Sequence, residues 1–299
     1  MATTKKALVF GSGGQLGFEV TRLLSRDGWN AVGFDRQTAD VRQADVVSGF
    51  IESEQPELVV NCAAYNLVDR AETEPAAAFL ANALAVRNLA LGCAKTGARL
   101  VHFSTDYVFD GTGRQPYSEE DRPHPINAYG VSKLSGEFYA FAYLKDALVI
   151  RTCGVFGPEG IHTAHGNFVE TMLRNAHAGR PLRVVSDTIA SPTFAPALAE
   201  KAVALASAGA SGLYHVGGGE PISWFDFATL IFDVSQIEAS LEATTREEYP
   251  TAAARPHFSA LSNAKLEADG FGKVPTLREA MLEYFDRRET VLRKGNLSR

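Results

Sequence analysis

The stretch from Ala7 to Gly17, Ala-Leu-Val-Phe-Gly-Ser-Gly-Gly-Gln-Leu-Gly, constrains this chain most. A short apolar run ends abruptly in glycines. The residues that follow, Phe18 to Leu24, space their apolar side chains as a helix does. The segment reads as strand, glycine turn, helix. Gly11, Gly14 and Gly17 give the spacing G-x-x-G-x-x-G, with Gly13 as an extra glycine. The dinucleotide pattern G-x-G-x-x-G has its second glycine one place earlier, but the physics is shared. Glycine permits the tight turn, lets backbone approach a pyrophosphate, and lets helix and strand pack closely. The helix N-terminus then offers unpaired N–H groups and a positive dipole end.

At 299 residues the chain suits one large domain or two modest ones. Its 45% hydrophobic content is that of a soluble globular protein. A net charge of −6 argues against a nucleic-acid partner. No apolar stretch is read as membrane-spanning, so no membrane partner is expected. The opening Met-Ala-Thr-Thr-Lys-Lys has no signal-peptide layout. Cys62, Cys93 and Cys153 lie far apart and read as reduced thiols of a cytoplasmic protein.

Beyond the first helix, Trp29 to Phe34 reads as a second strand ending in Asp35-Arg36. An acid there suits a ribose, and an arginine suits a 2′-phosphate, so NAD and NADP both stay open. Leu58 to Asn61 is a continuous apolar run of the buried parallel kind, and a helix is expected from about Pro75 to Lys95. Arg99 to Phe103 is the next strand, with Ser104-Thr105-Asp106 at its carboxyl end, where open α/β sheets bind ligands. These hydroxyls equally suit turn or cap positions. Tyr129 and Lys133 stand four apart in a predicted helix and point off one face. An ammonium held near a phenol would favour the phenolate; lowering a pKa of about 10 by three units takes roughly 4 kcal/mol. Further helices are expected near Asn167 to Ala178, Ser223 to Val234 and Thr276 to Arg287, with a frayed tail after Arg288. His162 and His165 read as solvated loop histidines, not a metal pair.

With these residues in place, the chain resembles the extended short-chain dehydrogenase/reductase superfamily and, within it, the dTDP-4-dehydrorhamnose reductase group. The matching segments are Gly-Gly-Gln-Leu-Gly at 13–17, Asn-Cys-Ala-Ala-Tyr at 61–65 and Val-Asp-Arg-Ala-Glu at 68–72. Ser-Thr-Asp-Tyr-Val-Phe-Asp-Gly at 104–111, Tyr129-Gly-Val-Ser-Lys133, Ser191-Pro192-Thr193 and Arg255-Pro256-His257 continue the match. The resemblance implies an α/β fold, a Rossmann-type doubly wound parallel sheet with a smaller mixed α/β carboxyl-terminal substrate domain. Residues 1–155 would form the NAD(P)-binding domain. Residues 156–299 would mainly bind a nucleotide sugar, with segments near 185–218 returning to the sheet.

It also implies NADPH- or NADH-dependent reduction of the C4 keto group of a nucleotide-linked 4-keto-6-deoxyhexose, by a monomer or homodimer. Gly11, Gly13, Gly14, Gln15, Leu16, Asp35, Arg36, Asp40, Val41, Cys62, Ala63 and Ala64 would bind the cofactor with Tyr129 and Lys133. Tyr129 would protonate the alkoxide, Lys133 would lower its pKa, and Thr105 would bond the carbonyl oxygen. Asp106, Tyr107 and Gly154 would line the sugar site, with Asn167 and Arg255 at the diphosphate. Related functions are an epimerase, a reductase of another nucleotide sugar, or a non-catalytic regulatory subunit such as that of methionine adenosyltransferase. Gly154 stands where the group usually has tryptophan, and this is expected to open the sugar site. Some members bind magnesium at a dimer interface; Glu19 and Ser259 match two of those positions, but Pro196 replaces a carboxylate, so no metal is expected.

Overall fold

The computed structural model describes residues 5–163 and 166–297. The chain alternates strand and helix through its first half: β1 (Lys6–Phe10), α1 (Gln15–Arg26), β2 (Asn30–Phe34), α2 (Ala44–Glu54) and β3 (Leu58–Asn61). Next come α3 (Val68–Ala71), α4 (Pro75–Phe79), α5 (Ala85–Thr96), β4 (Arg99–Thr105), α6 (Ala128–Tyr143) and β5 (Leu148–Thr152). The second half holds α7 (Phe168–His177), β6 (Leu182–Val185), β7 (Ile189–Ala190), α8 (Ala195–Ser207) and β8 (Gly212–His215). It closes with β9 (Ile222–Ser223), α9 (Trp224–Ser235), β10 (Leu241–Thr244), α10 (Ala264–Ala268) and α11 (Leu277–Leu297).

Six parallel strands form the main sheet in the order β2-β1-β3-β4-β5-β8. Its strands read as continuous apolar runs because both faces are covered. Ala7 and Val9 face one core, packed by α1 and α8, while Leu8 and Phe10 face the other, under α2, α5 and α6. The strand order reverses beside β1, which places the crevice at the carboxyl ends of β1 and β3. Gly17 explains the closeness of the first turn: a Cβ there would stand 2.2 Å from the Gly11 carbonyl oxygen.

The second half builds its own layer on small pairings, parallel β10-β6 and antiparallel β7-β9. None of β7, β9 and β10 exceeds four residues, too short to show a period. A separate core of Phe156, Leu173, Phe227, Ile231, Met281 and Tyr284 sits here.

Three expectations change. The helix expected from Pro75 to Lys95 is helical throughout, but a π turn at Leu80–Leu84 separates α4 from α5. The span Pro75–Thr96 is also long and apolar enough to cross a bilayer, contrary to the sequence reading, and half of it is buried. It is a core helix: Val86, Leu89, Ala90 and Cys93 pack onto the sheet, and buried Asn82 donates to Tyr65 O and to Ser132 Oγ. The tail expected to fray after Arg288 is helical as far as it is described: α11 continues to Leu297. Arg288 reaches Glu170 at 2.7 and 2.9 Å, and Arg293 pairs with Glu289 one turn away. The expected long loop at 161–166, and the histidine pair, fall partly outside the described residues.

Helix α6 lies so close to the π turn that a Cβ at Gly136 would sit 2.2 Å from Asn82 O. Gly136→Ala is expected to lower the urea midpoint at unchanged slope, with a loss of about 3 kcal/mol. Gly49→Ala, on the exposed side of α2 where an added Cβ meets nothing within 4 Å, is expected to gain about 0.5–1 kcal/mol.

Candidate active site

The site is built where β4 ends and α6 begins. Ser104, Thr105 and Asp106 are all buried at the carboxyl edge of the sheet. The Thr105 hydroxyl accepts from Tyr107 N–H at 3.2 Å and donates to Asp106 Oδ1 at 3.0 Å, so it is a cap as well as a polar group facing the site. Asn127 caps α6 by accepting from Gly130 N–H at 2.7 Å, and donates to Ala254 O at 2.8 Å. That cap sets the first helical turn, and Tyr129 emerges from it. One turn on, Lys133 Nζ donates to Phe103 O at 2.6 Å. Thr105, Tyr129 and Lys133 thus meet at one strand end. Tyr107 contacts Tyr129 edge-on, with ring centroids 5.9 Å apart.

The electrostatics differ from the expectation. Burial pushes the Tyr129 phenol above its usual range, the Thr105 hydroxyl opposes this, and the Asp106 carboxylate reinforces it. The Lys133 ammonium does not pull it down, because its near partner is the Phe103 carbonyl. Desolvation of a buried phenolate therefore dominates. Burial lowers Lys133 itself to about 8, against the pull of Glu137. Burial also raises the Asp106 carboxyl, although Ser259, Cys153 and Thr105 hydrogen-bond it. The Cys153 thiol donates to Asp106 Oδ2 at 3.1 Å.

Beneath this trio lies a buried polar layer that the sequence reading missed. Arg151 binds Glu137 through two bonds of 2.9 and 2.8 Å, and Ser104 donates to the same carboxylate. Arg151 and Glu137 are both about 3% exposed. Glu137 lies four residues after Lys133, so one helical face carries Tyr129, Lys133 and Glu137; that spacing was the available signal.

At the other side of the sheet edge, Gly14 is the N-cap of α1 and no side chain caps that helix. Its first-turn N–H groups face the crevice, as a pyrophosphate requires, so the glycine turn fits a dinucleotide. Gln15 Nε2 donates to Val155 O at 2.9 Å. Leu16 packs into the core. Asp35 spends one carboxylate oxygen on the N–H groups of Gln37 and Thr38, which hold it below its usual range, Thr38 most strongly. Arg36 is 77% exposed and stands 3.8 Å from Asp40, whose main partner is Arg42. Val41 is buried; Cys62 N–H donates to Phe10 O, and Ala63 N–H to Asn61 Oδ1, so Cys62, Ala63 and Ala64 continue directly from β3 beside the glycine turn.

A cavity of about 730 Å³ opens from Tyr107 into the second half. Tyr107, Phe168, Met172, Trp224 and Tyr249 give it aromatic and apolar walls, and Arg183, Arg246 and Arg255 give it cations. Arg255 lines it as expected and is anchored by Asp69 at 2.8 and 3.1 Å. Asn167 is not part of the lining. Its Oδ1 caps α7 at Glu170 N–H, and its Nδ2 donates to Gly157 O and Gln15 Oε1, so no polar group is left for a diphosphate. Gly154 does not leave an opening either: a Cβ there would lie 2.9 Å from Trp224 Cη2. Trp224 starts α9, Arg183 lies in β6, and Arg246 and Tyr249 share the turn after β10; no spacing announces them together. Glu19 pairs with Arg22 and Arg287, while Ser259 bonds Asp106, so the two matches to magnesium positions belong to separate networks.

A doubly wound sheet whose edge is faced by a tyrosine and a lysine one helical turn apart defines an oxidoreductase of the short-chain dehydrogenase/reductase class. Residues 5–290 match the family described as the RmlD substrate binding domain, and the chain belongs to that family. It is 40% identical over 285 residues to a spore coat polysaccharide biosynthesis protein, SpsK, of Bacillus subtilis (strain 168), covering 95% of this chain and 98% of that one. It is 36% identical over 275 residues to the dTDP-4-dehydrorhamnose reductase of Escherichia coli (strain K12), covering 87% of this chain and 90% of the relative. A crystal structure of dTDP-4-dehydrorhamnose reductase from Bacillus anthracis in complex with NADP superposes with a TM-score of 0.90 at 32% identity, over 95% of this chain and all of that one.

Lys133 gives a pH test. Folded, its amine loses its proton near pH 8, against about 10.5 unfolded, so between these values the unfolded chain binds one more proton. Stability relative to Lys133→Met should therefore rise with pH in that window, by about 2 kcal/mol from pH 8 to pH 9.5. Urea unfolding of both proteins at each pH measures this; a flat difference contradicts it.

Proposed function

We propose that this protein reduces the C4 keto group of a nucleotide-activated 4-keto-6-deoxyhexose with NADPH or NADH, in deoxysugar biosynthesis. The observation that carries the reading is one contact. Tyr107 touches Tyr129 edge-on and also lines the large cavity, so the phenol stands beside a space suited to a nucleotide sugar.

The glycine turn and the uncapped start of α1 would hold the cofactor's diphosphate. Asp35 and Arg36 would meet its ribose, and Val41 and Cys62 to Ala64 would hold the rest. The bound dinucleotide supplies the hydride. The protein's own residues supply the rest. The Thr105 hydroxyl orients the carbonyl oxygen. The raised pKa of Tyr129 keeps its proton in place until the oxygen gains charge, and the phenol then donates that proton. Lys133, one helical turn on with its ammonium held by the Phe103 carbonyl, would bind the cofactor's nicotinamide ribose. Arg255, with Arg183 and Arg246, offers cationic donors to a diphosphate. The identity to named reductases over most of the chain supports the same substrate class. On this reading the enzyme works in the cytoplasm as a monomer or homodimer.

Purified protein mixed with NADPH or NADH and a panel of 4-keto nucleotide sugars tests the reading. Consumption of the dihydronicotinamide absorbance, with equal formation of the 4-hydroxy sugar, is expected. Interconversion of sugars without net oxidation would mean an epimerase. Tight cofactor binding without turnover would mean a regulatory subunit. Tyr129→Phe is expected to lower kcat by about 10²–10⁴-fold while cofactor Kd stays within about twofold.

A further inference from the structure

Trp224 stands at an unusual junction. It is the first residue of α9, fixed from three sides. Ser223 caps the helix by accepting from Asp226 N–H at 3.0 Å, β9 pairs with β7, and Trp224 N–H donates to Thr188 O at 3.3 Å. Its indole packs on Phe168, with centroids 4.7 Å apart, and belongs to the apolar cluster of the second half. It also packs against the cluster of Val108, Phe109, Leu134 and Cys153 beside the catalytic strand end. The ring therefore bridges two cores while one part of it lines the large cavity.

Its edge rests on Gly154. The backbone there has φ +47°, and a built Cβ would meet Trp224 Cη2 at 2.9 Å and Pro192 Cα at 3.5 Å. Gly154 follows Cys153, whose thiol bonds Asp106, which in turn bonds Thr105. Tyr107, which also lines the cavity, links it to Tyr129. The indole thus lines the same cavity as Tyr107, and it rests within one residue of the polar chain that ends at Thr105. A flat apolar ring there matches the C–H face of a pyranose and excludes ring substituents that project toward it.

We propose that Trp224 is the wall against which the sugar ring packs, that Gly154 is its seat, and that the pair selects which sugars reach Tyr129. This rests on the nucleotide-sugar reading above. Nothing in the 153–157 loop itself supplies such a wall, because the position pointing there carries only a hydrogen.

A double-mutant cycle tests it. Gly154→Ala should push the indole into the cavity and raise KM for the nucleotide sugar about tenfold, a change in the range of one lost contact. Trp224→Ala should raise the same KM about tenfold and narrow the preference between sugars of different bulk. In the double variant the two factors should not multiply, since the added methyl then meets space. KM for the cofactor should stay within about twofold in all three. If Trp224→Ala does not fold, Trp224→Phe with and without Gly154→Ala reads the same relief. An unchanged sugar KM in the Trp224 variants, or factors that multiply, overturns the proposal. Titration of the proteins with nucleotide sugar and with nucleoside diphosphate separates this from a failure of the functional reading. Weakened binding of the sugar nucleotide alone, with unchanged diphosphate binding, supports the wall even if no sugar is turned over. Equal weakening of both ligands, or of neither, overturns it.

Discussion

The buried pairing of Arg151 with Glu137 holds the rest of the site in register. Two charges removed from water cost several kcal/mol each, and they are tolerated because each meets the other directly. Among the described residues Arg151 Nη1 is left without a hydrogen-bond partner, and the guanidinium lies over the Phe109 ring at 5.2 Å. Glu137 receives two bonds from Arg151 and one from Ser104. These groups come from β5, α6 and β4, so the pair fixes how far along the sheet α6 can slide. Tyr129 and Lys133 ride on the same helix, and their distance to Thr105 follows from that register. The like face of Lys133 and Glu137 also offsets part of the ammonium's burial. A hydrophobic replacement of the pair would stabilise the helix less specifically, because apolar contacts allow slippage that directed hydrogen bonds do not.

The second half is tied to the first by polar contacts near the cofactor end. Gln15 at the start of α1 bonds Val155 O and Asn167. Glu19 on the same helix pairs with Arg287 of α11, and Glu170 takes bonds from Tyr284 and Arg288. The glycine turn is therefore continuous, through side chains, with the helices of the second half. Gln15 and Asn167 serve this joint, and Asn167 spends both of its amide N–H groups on Gly157 O and Gln15 Oε1, so it has no donor left for a diphosphate.

The reversal at Tyr129 has a general cause. Spacing shows that two residues share a helical face, and from that alone a cation beside a phenol promises a lowered pKa. The outcome depends on where the ammonium points and how much water remains. Here a backbone carbonyl takes the ammonium, and burial dominates the phenol. The sign was decided by surroundings that lie thirty residues away in the chain.

The sequence by itself determined what local rules govern. Glycines at 11, 14 and 17, apolar runs at 7–10 and 58–61, and the four-residue step from Tyr129 to Lys133 are each read within one turn of chain. They specify strand, turn and helix, and with the order of elements they specify the doubly wound sheet. The tertiary structure alone decided what depends on distant segments meeting. It brought Arg151 to Glu137, filled the space at Gly154 with Trp224, and gathered Arg183, Arg246 and Tyr249 around one cavity. It also packed one face of Pro75–Thr96 onto the sheet despite a composition that suits a bilayer. Such outcomes follow from packing and desolvation, which are properties of a surrounding volume, and no window along the chain contains that volume.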